Sequence, residues 1–315
     1  MEEKLNDLKI VFMGTPDFAV PSLIALQDAG AKILAVITAP DKPADRGLRL
    51  RESAVKQTAS RLSLPILQPP RLKDPGFLNQ LRILGADLQV VVAFRMLPES
   101  VWSMPPLGTI NLHASLLPRY RGAAPIPWAI IRGEEKTGLT TFKLQQAIDT
   151  GHILLQEEIS IGPEQTGGEL REVMKNAGAA LLVRTLDALR KGQLDEIPQP
   201  ESTEALPLAP KITAETCIIH WDRTVASIHN LIRGLSPNPA ASGTLEGKKI
   251  KIFRSVAEPG LVHAAAGQFE TDRKSFLRFV ALDGYIRVLE IQLEGKRRLP
   301  IEEFLRGYRF APVQS

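Results

Sequence analysis

The sequence predicts an α/β fold. A Rossmann-like, mostly parallel sheet spans residues 1–191, a linker follows at 192–208, and a small OB-like β-barrel occupies 209–315. Three observations carry this reading. The first half alternates short, nearly continuous apolar runs with helical patterns, as strands buried on both faces between helices do. The stretch QLDEIPQPESTEALPLAP, rich in Pro and acidic residues, then breaks the alternation. Beyond it, short strand-like runs follow one another across Gly and Asp turns.

In order, LKIVFMG (8–14) is a strand stopping at Gly14. TPDFAVPSLIALQDAG reads as a loop and an amphipathic helix ending at Gly30, and KILAVIT (32–38) as a second strand. ESAVKQTASRLS is helical, LPILQP (64–69) a short third strand, and PGFLNQLRILG helical again. DLQVVVAF (87–94) and GTINLH (108–113) are the fourth and fifth strands. After a helix in AAPIPWAIIRG, the β-branched runs TGLTTFKLQ (137–145) and GHILLQEEISI (151–161) read as strands joined by a loop with Asp149 near its tip. A long amphipathic helix covers 166–192, with a Thr start and a Gly stop. In the last third come a helix in TVASIHNLIRGL, the turn-rich SPNPAASG, and strands in KKIKIFRSV, AAGQFE, SFLRFVAL and YIRVLEIQLEG. The first turn, Gly14-Thr15-Pro16-Asp17-Phe18, lacks the G-x-G-x-x-G pattern, which argues against a nicotinamide enzyme.

A length of 315 residues suits two domains. Apolar residues at 44% and charged residues at 23% describe a globular protein, not a disordered one. The one cysteine, Cys217, excludes an internal disulfide framework and a multi-cysteine zinc site. A reducing cytoplasm is the expected location. The acidic start lacks the pattern of a signal peptide, and no apolar run reaches the length of a membrane span. The net charge of +4 is uneven: from Ala209 onward there are 16 Lys or Arg against 11 Asp or Glu, and the remainder is close to neutral. A basic C-terminal third suits a polyanionic partner, or simply a solvated basic surface.

Asn111 and His113 stand two residues apart at the end of the fifth strand, so they project to one face. Ligands bind at that edge of open α/β sheets. An Asn amide can donate to a carbonyl oxygen turning negative, and a carboxylate beside an imidazole, as Asp149 would be, helps it move protons. The three suit acyl transfer to an amine, in which the amine attacks directly and no Ser or Cys nucleophile is needed. Each also has a structural alternative: a hydrogen-bonded strand-end His, an Asn in a turn, and a common Asp-Thr-Gly turn. Residue types and spacing leave that choice open.

The run N-L-H-A-S-L-L-P-R-Y-R-G-A-A-P-I, followed downstream by A-I-D-T-G, resembles the formyltransferases that use 10-formyltetrahydrofolate. IVFMGTPDFAV, APDKPADRG and the basic C-terminal barrel extend the resemblance along the whole chain, toward the branch that formylates methionyl initiator tRNA. The resemblance implies that Asn111, His113 and Asp149 are catalytic. It implies a folate pocket lined by Ser115, Leu116, Leu117 and Pro118, a consumed folate co-substrate, and no metal. The chain is expected to act as a monomer. The resemblance also implies that the long basic loop PDKPADRGLRLR, with Lys42, Arg46, Arg49 and Arg51, enters the acceptor end of the tRNA. Pterin binding fits the apolar SLLP walls, although Leu116 and Leu117 would serve equally as core residues. Lys248, Lys249, Lys251 and Arg254 alternate along a strand, with Lys249 and Lys251 on one face, and Lys296, Arg297 and Arg298 form a second cluster. Both clusters suit phosphates, or a lysine-protected edge strand.

Two segments depart from the family pattern: AFRML (93–97) replaces aromatic-Gly-x-x-x-Pro and is one residue short, and SPNPAAS replaces an N-P-x-P-G-A turn. The rival readings are an amino-sugar nucleotide formyltransferase, a glycinamide ribonucleotide formyltransferase and a catalytically silent tRNA-binding protein. The basic loop and RGAAPI disfavour the first, the C-terminal hundred residues the second, and the intact triad the third.

Overall fold

The protein is described by a computed structural model covering residues 5, 7–43, 50–200 and 205–311. It forms two compact units that interleave along the chain. One comprises Met1–Gly122, Gly138–Ile159 and Arg171–Leu208; the other comprises Ala123–Thr137, Ser160–Leu170 and Ala209–Ser315.

The first unit is built from β1 (Lys9–Gly14), α1 (Val20–Asp28), β2 (Lys32–Ile37), α2 (Ala54–Arg61), β3 (Ile66–Leu67), α3 (Pro75–Ile83), β4 (Leu88–Val92) and β5 (Thr109–His113). With β6 (Lys136–Lys143) and β7 (Ile153–Ser160) these strands make a seven-stranded sheet in the order β7-β6-β5-β4-β1-β2-β3. Pairs from β3 through β5 are parallel, and β6 runs antiparallel to β5. Ile10 to Met13 and the whole of β4 are buried, as strands covered on both faces must be, which is why they read as nearly continuous apolar runs, broken only by the buried Gln89. The helices start where side chains can take up their first amide groups: Ser53 Oγ accepts from the Lys56 amide, and Asp74 accepts from Phe77 ahead of a proline in the first turn. The third strand shrinks to two residues because prolines at 65, 69 and 70 remove ladder donors.

The second unit centres on a six-stranded antiparallel sheet, an OB-like arrangement. Its strands are β8 (Ala241–Leu245), β9 (Lys248–Pro259), β10 (Phe269–Thr271), β11 (Leu277–Ala281), β12 (Gly284–Leu293) and β13 (Arg298–Pro300). β12 is the spine: it pairs with β9 along one edge, and with β11 and then β13 along the other. This unit also holds the helices α4 (Pro125–Ile131) and α6 (Val225–Leu235), and α6 turns Ile228, Ile232 and Leu235 into a core with Ile250, Ile252, Phe279, Ile286 and Ile291. Each such side chain contributes about 1.5–3 kcal/mol by leaving water. β8 grows out of the stretch AASGTL, which the sequence reads largely as turn; its partner β9 supplies the ladder that local propensity does not announce.

Candidate active site

The sheet itself positions the first two candidates. Asn111 lies between Val91 of β4 and Phe142 of β6, and His113 lies opposite Thr140. His113 is buried, and its Nε2 stands 2.9 Å from the carbonyl oxygen of Tyr120. A carbonyl can only accept, so Nε2 carries the proton of this bond and donates it. Nδ1 is thereby left for chemistry, facing Asp149 Oδ2 at 3.8 Å. That separation is an ion-pair distance for a charged imidazole and too long for a direct hydrogen bond. Asp149 sits at φ +54°, a conformation Asp tolerates better than most residues. Its Oδ2 accepts from the amide of Gly122 at 2.9 Å. The strand end, the Tyr120–Gly122 turn and the Asp149 loop, all in the first unit, thus meet at one imidazole.

The Ser115–Pro118 turn is held by one hydroxyl. Thr140 Oγ1 donates to the Ser115 carbonyl at 2.7 Å and accepts from the Leu117 amide at 3.1 Å and from Gln156 Nε2 at 2.9 Å. Ser115 Oγ donates to the Arg119 carbonyl, and the Leu117–Pro118 peptide is cis. Ser115 and Leu117 are buried, Leu117 against Phe142 and Ile153, while Leu116 and Pro118 keep exposed surface. Leu116 lies over Gly138, where an added Cβ would come within 2.4 Å of its Cδ2 and 2.3 Å of the Glu157 carbonyl.

The loop between β6 and β7 is tied to the segment after α5 (Gly167–Arg190). Ile153 and Ile197 exchange both backbone hydrogen bonds, at 2.8 and 2.9 Å. Glu196 takes the Lys143 ammonium and lies 3.4 Å from His152 Nδ1; the Lys143 contact holds its carboxyl below the usual range. Gln199 donates from Nε2 to the carbonyls of Asp149 and Gly151, at 2.8 and 2.9 Å, and accepts from Arg121 Nε at 3.1 Å. At Gly151 an added Cβ would fall 1.6 Å from the Lys143 carbonyl oxygen, so no other residue fits there without movement. The sequence reading missed Thr140, Gln156 and Gln199. Nothing in a β-branched run or a Pro-rich linker marks one polar residue from the next.

The profile of the formyl transferase family matches residues 8–186, and that of the formyl transferase C-terminal domain matches 211–309. The chain belongs to the formyl transferase family. A relative from Bacteroides fragilis named methionyl-tRNA formyltransferase is 49% identical over 312 residues, covering 97% of this chain and 96% of its own. Among solved structures, an N-formyltransferase from Helicobacter canadensis in complex with folinic acid and dTDP-3-aminofucose aligns at 18% identity and a TM-score of 0.67, covering 93% of this chain and all of that one. HypX from Aquifex aeolicus in complex with tetrahydrofolic acid aligns at 17% and 0.65, covering 97% of this chain and 49% of that one. At those identities the two structures speak for the fold alone.

In this formyl transferase the basic candidates lie apart from the triad in sequence. Lys42 is exposed and pairs in register with Arg51. Arg46 and Arg49 lie outside the described residues. Lys249 and Lys251 point outward from β9 while Ile250 and Ile252 point into the core, and Lys251 Nζ donates to the Pro239 carbonyl. The arginines of the same unit are largely engaged: Arg254 with Glu169 and Glu290, Arg278 with Glu258 and Glu270, Arg287 with Glu258, and Arg298 with Glu290. The altered AFRML segment borders an open cleft of about 780 Å³ with Arg71, Lys73 and Leu78. There Arg95 donates to the carbonyls of Pro69 and Pro70, and Met96 is 74% exposed. Among the described residues no group of three or more His, Cys, Asp or Glu could hold a metal ion, and no helix is long and apolar enough to cross a membrane.

Proposed function

We propose that this formyl transferase moves the formyl group of 10-formyltetrahydrofolate to the α-amine of methionine esterified to initiator tRNA, acting as a cytoplasmic monomer. The choice of acceptor rests on one observation: the Bacteroides relative whose name gives methionyl-tRNA is matched along nearly its full length. The chemistry rests on the convergence of His113 and Asp149 at the strand end that also carries Asn111.

In the proposed step the amine nitrogen attacks the formyl carbon, and its carbonyl oxygen becomes an oxyanion. Asn111 donates to that oxyanion. His113 Nδ1 takes the proton that the amine loses, beside the Asp149 carboxylate that stabilises the imidazolium, and only then donates to the oxyanion. As the oxyanion re-forms the carbonyl, the bond from the formyl carbon to N10 of the folate breaks, and N10 receives the proton that the amine gave up. Side chains and backbone suffice for each part of this sequence. Ser115 supports the folate wall through its backbone and its bond to Arg119, Leu117 packs behind it, and Leu116 and Pro118 supply the apolar surface. Residues 1–191 carry the chemistry and, through the basic loop, part of the tRNA contacts, 209–315 carry the rest, and 192–208 join them. Lys42, Arg46, Arg49, Lys249 and Lys251 are assigned to tRNA phosphates, a salt-dependent contribution.

The test is formyl transfer to methionine-charged initiator tRNA, with charged elongator tRNA and an amino-sugar nucleotide as parallel acceptors. Transfer to the initiator alone is expected. Transfer to the sugar instead would overturn the acceptor and keep the chemistry. Asn111→Ala, His113→Ala and Asp149→Asn are each expected to cut turnover by about 10²–10³-fold in folded protein. Near-normal rates would remove the residue concerned from the mechanism.

A further inference from the structure

We infer that Gln199, in the segment after α5, is a positioning residue for the reaction: its side-chain amide sets where the Asp149 carboxylate stands. The inference rests on the reading of Asp149 as catalytic.

Gln199 Nε2 donates to two carbonyls of the same loop, those of Asp149 and Gly151. Its Oε1 accepts from Arg121. The polarity of these bonds fixes the amide's orientation. Both carbonyls need a donor and the guanidinium needs an acceptor, so a flipped amide would lose every one of these bonds. Arg121 directly precedes Gly122, whose amide holds Asp149 Oδ2. One side chain therefore joins the two backbone segments that place the carboxylate, from the carbonyl side and from the turn side.

The loop has reason to need a clamp. Asp149 sits at φ +54°, and Ala147 and Ile148, just before it, are exposed, Ile148 by 58%. No helix or sheet ladder spans residues 144 to 152. The fixed points are Lys143 and His152, both meeting Glu196, then Ile153 paired with Ile197, and Gln199 itself. Glu196 and Ile197 hold the ends of the loop, whereas Gln199 holds the residue that bears the carboxylate. A misplacement of about 1 Å at a reacting group costs about 10²-fold in rate. Removal of the two donated bonds should therefore appear in turnover before it appears in stability.

The experiment compares Gln199→Ala, Gln199→Glu, Asp149→Asn and the double variant Asp149→Asn/Gln199→Ala, each in the full chain. It reads kcat, KM for both substrates, and thermal melting. Gln199→Glu keeps the acceptor for Arg121 and the length of the side chain, loses the donor and adds a negative charge. The expected result is a kcat lower by about tenfold or more in both single Gln199 variants, with both KM values within about twofold and melting nearly unchanged. The double variant should turn over no more slowly than Asp149→Asn alone, because the clamp acts only through that carboxylate. A wild-type kcat in Gln199→Ala alongside an inactive Asp149→Asn would overturn the inference and leave the Asp149 reading standing. So would full activity in Gln199→Glu, or an undiminished further loss in the double variant. A wild-type rate in Asp149→Asn would instead remove the catalytic reading, and the inference with it.

Discussion

Replacing Gly151 with Ala tests how tightly the Asp149 loop is held and whether its position sets the rate. The new Cβ would lie 1.6 Å from the Lys143 carbonyl oxygen and 2.8 Å from its carbon. Reaching even a tight contact of 3.0 Å requires the backbone to move by about 1.4 Å. Asp149 is two residues away, and its carbonyl shares the Gln199 amide with that of Gly151, so the shift passes to the carboxylate. Moving Oδ2 outward by that amount from its 3.8 Å separation would weaken its attraction for an imidazolium by about 1 kcal/mol, at an effective dielectric of about 20. Loss of the charge-assisted bond from Gly122 would add about 1.5–3 kcal/mol. Together these correspond to a drop in kcat of about 10²–10³-fold. Overpacking should destabilise the fold by about 1–3 kcal/mol, which leaves most of the protein folded. The assay is steady-state formylation of methionyl-tRNA, with urea unfolding as the control. A folded Gly151→Ala enzyme turning over within threefold of wild type would show that the loop's position does not set the rate.

Three further outcomes follow from the same geometry. Gly138→Ala should displace Leu116 and raise KM for the folate by about tenfold while changing kcat at saturation far less; an unchanged KM would remove Leu116 from the pocket. Burial holds the His229 imidazole below its ordinary value, with Arg233 pushing the same way and Glu164 opposing. The unfolded chain therefore takes up this proton first as pH falls through about 6.5, so the contribution to stability is complete above that value and lost below it. Thermal melting between pH 7.5 and 5.5 should fall less steeply in His229→Gln than in wild type, and parallel curves would refute the assignment. Arg46→Ala should raise KM for methionyl-tRNA and leave KM for the folate unchanged; equal effects on both would end the proposed role of the basic loop.

Much of the first unit was legible because β1, β2, β4 and β5 are largely buried and write that burial as apolar runs. Asn111 and His113 were legible for a related reason: polar residues at the end of such a run are visible against it. Gln199 was not, since its partners lie 48, 50 and 78 residues away and its neighbours read only as a Pro-rich acidic stretch. Thr140 was hidden differently, inside a β-branched strand where a hydroxyl with three bonds looks like any other threonine. The interleaving of the units was also invisible, because the grouping of residues 123–137 and 160–170 with the C-terminal third rests on contacts that leave no local pattern. One such contact is the buried Arg233, which donates to the carbonyls of Gly162 and Gln165.

The pairing of Ile153 with Ile197 also orders events in time. Strands β1 to β5 are complete by residue 113, and every residue of the triad has been synthesised by residue 149. The segment that clamps the loop arrives some fifty residues later, and closing so long a loop costs chain entropy before its bonds return any. A nascent chain can therefore hold its sheet before it holds its carboxylate. A chain interrupted between those points would present a formed sheet with an unclamped Asp149 loop.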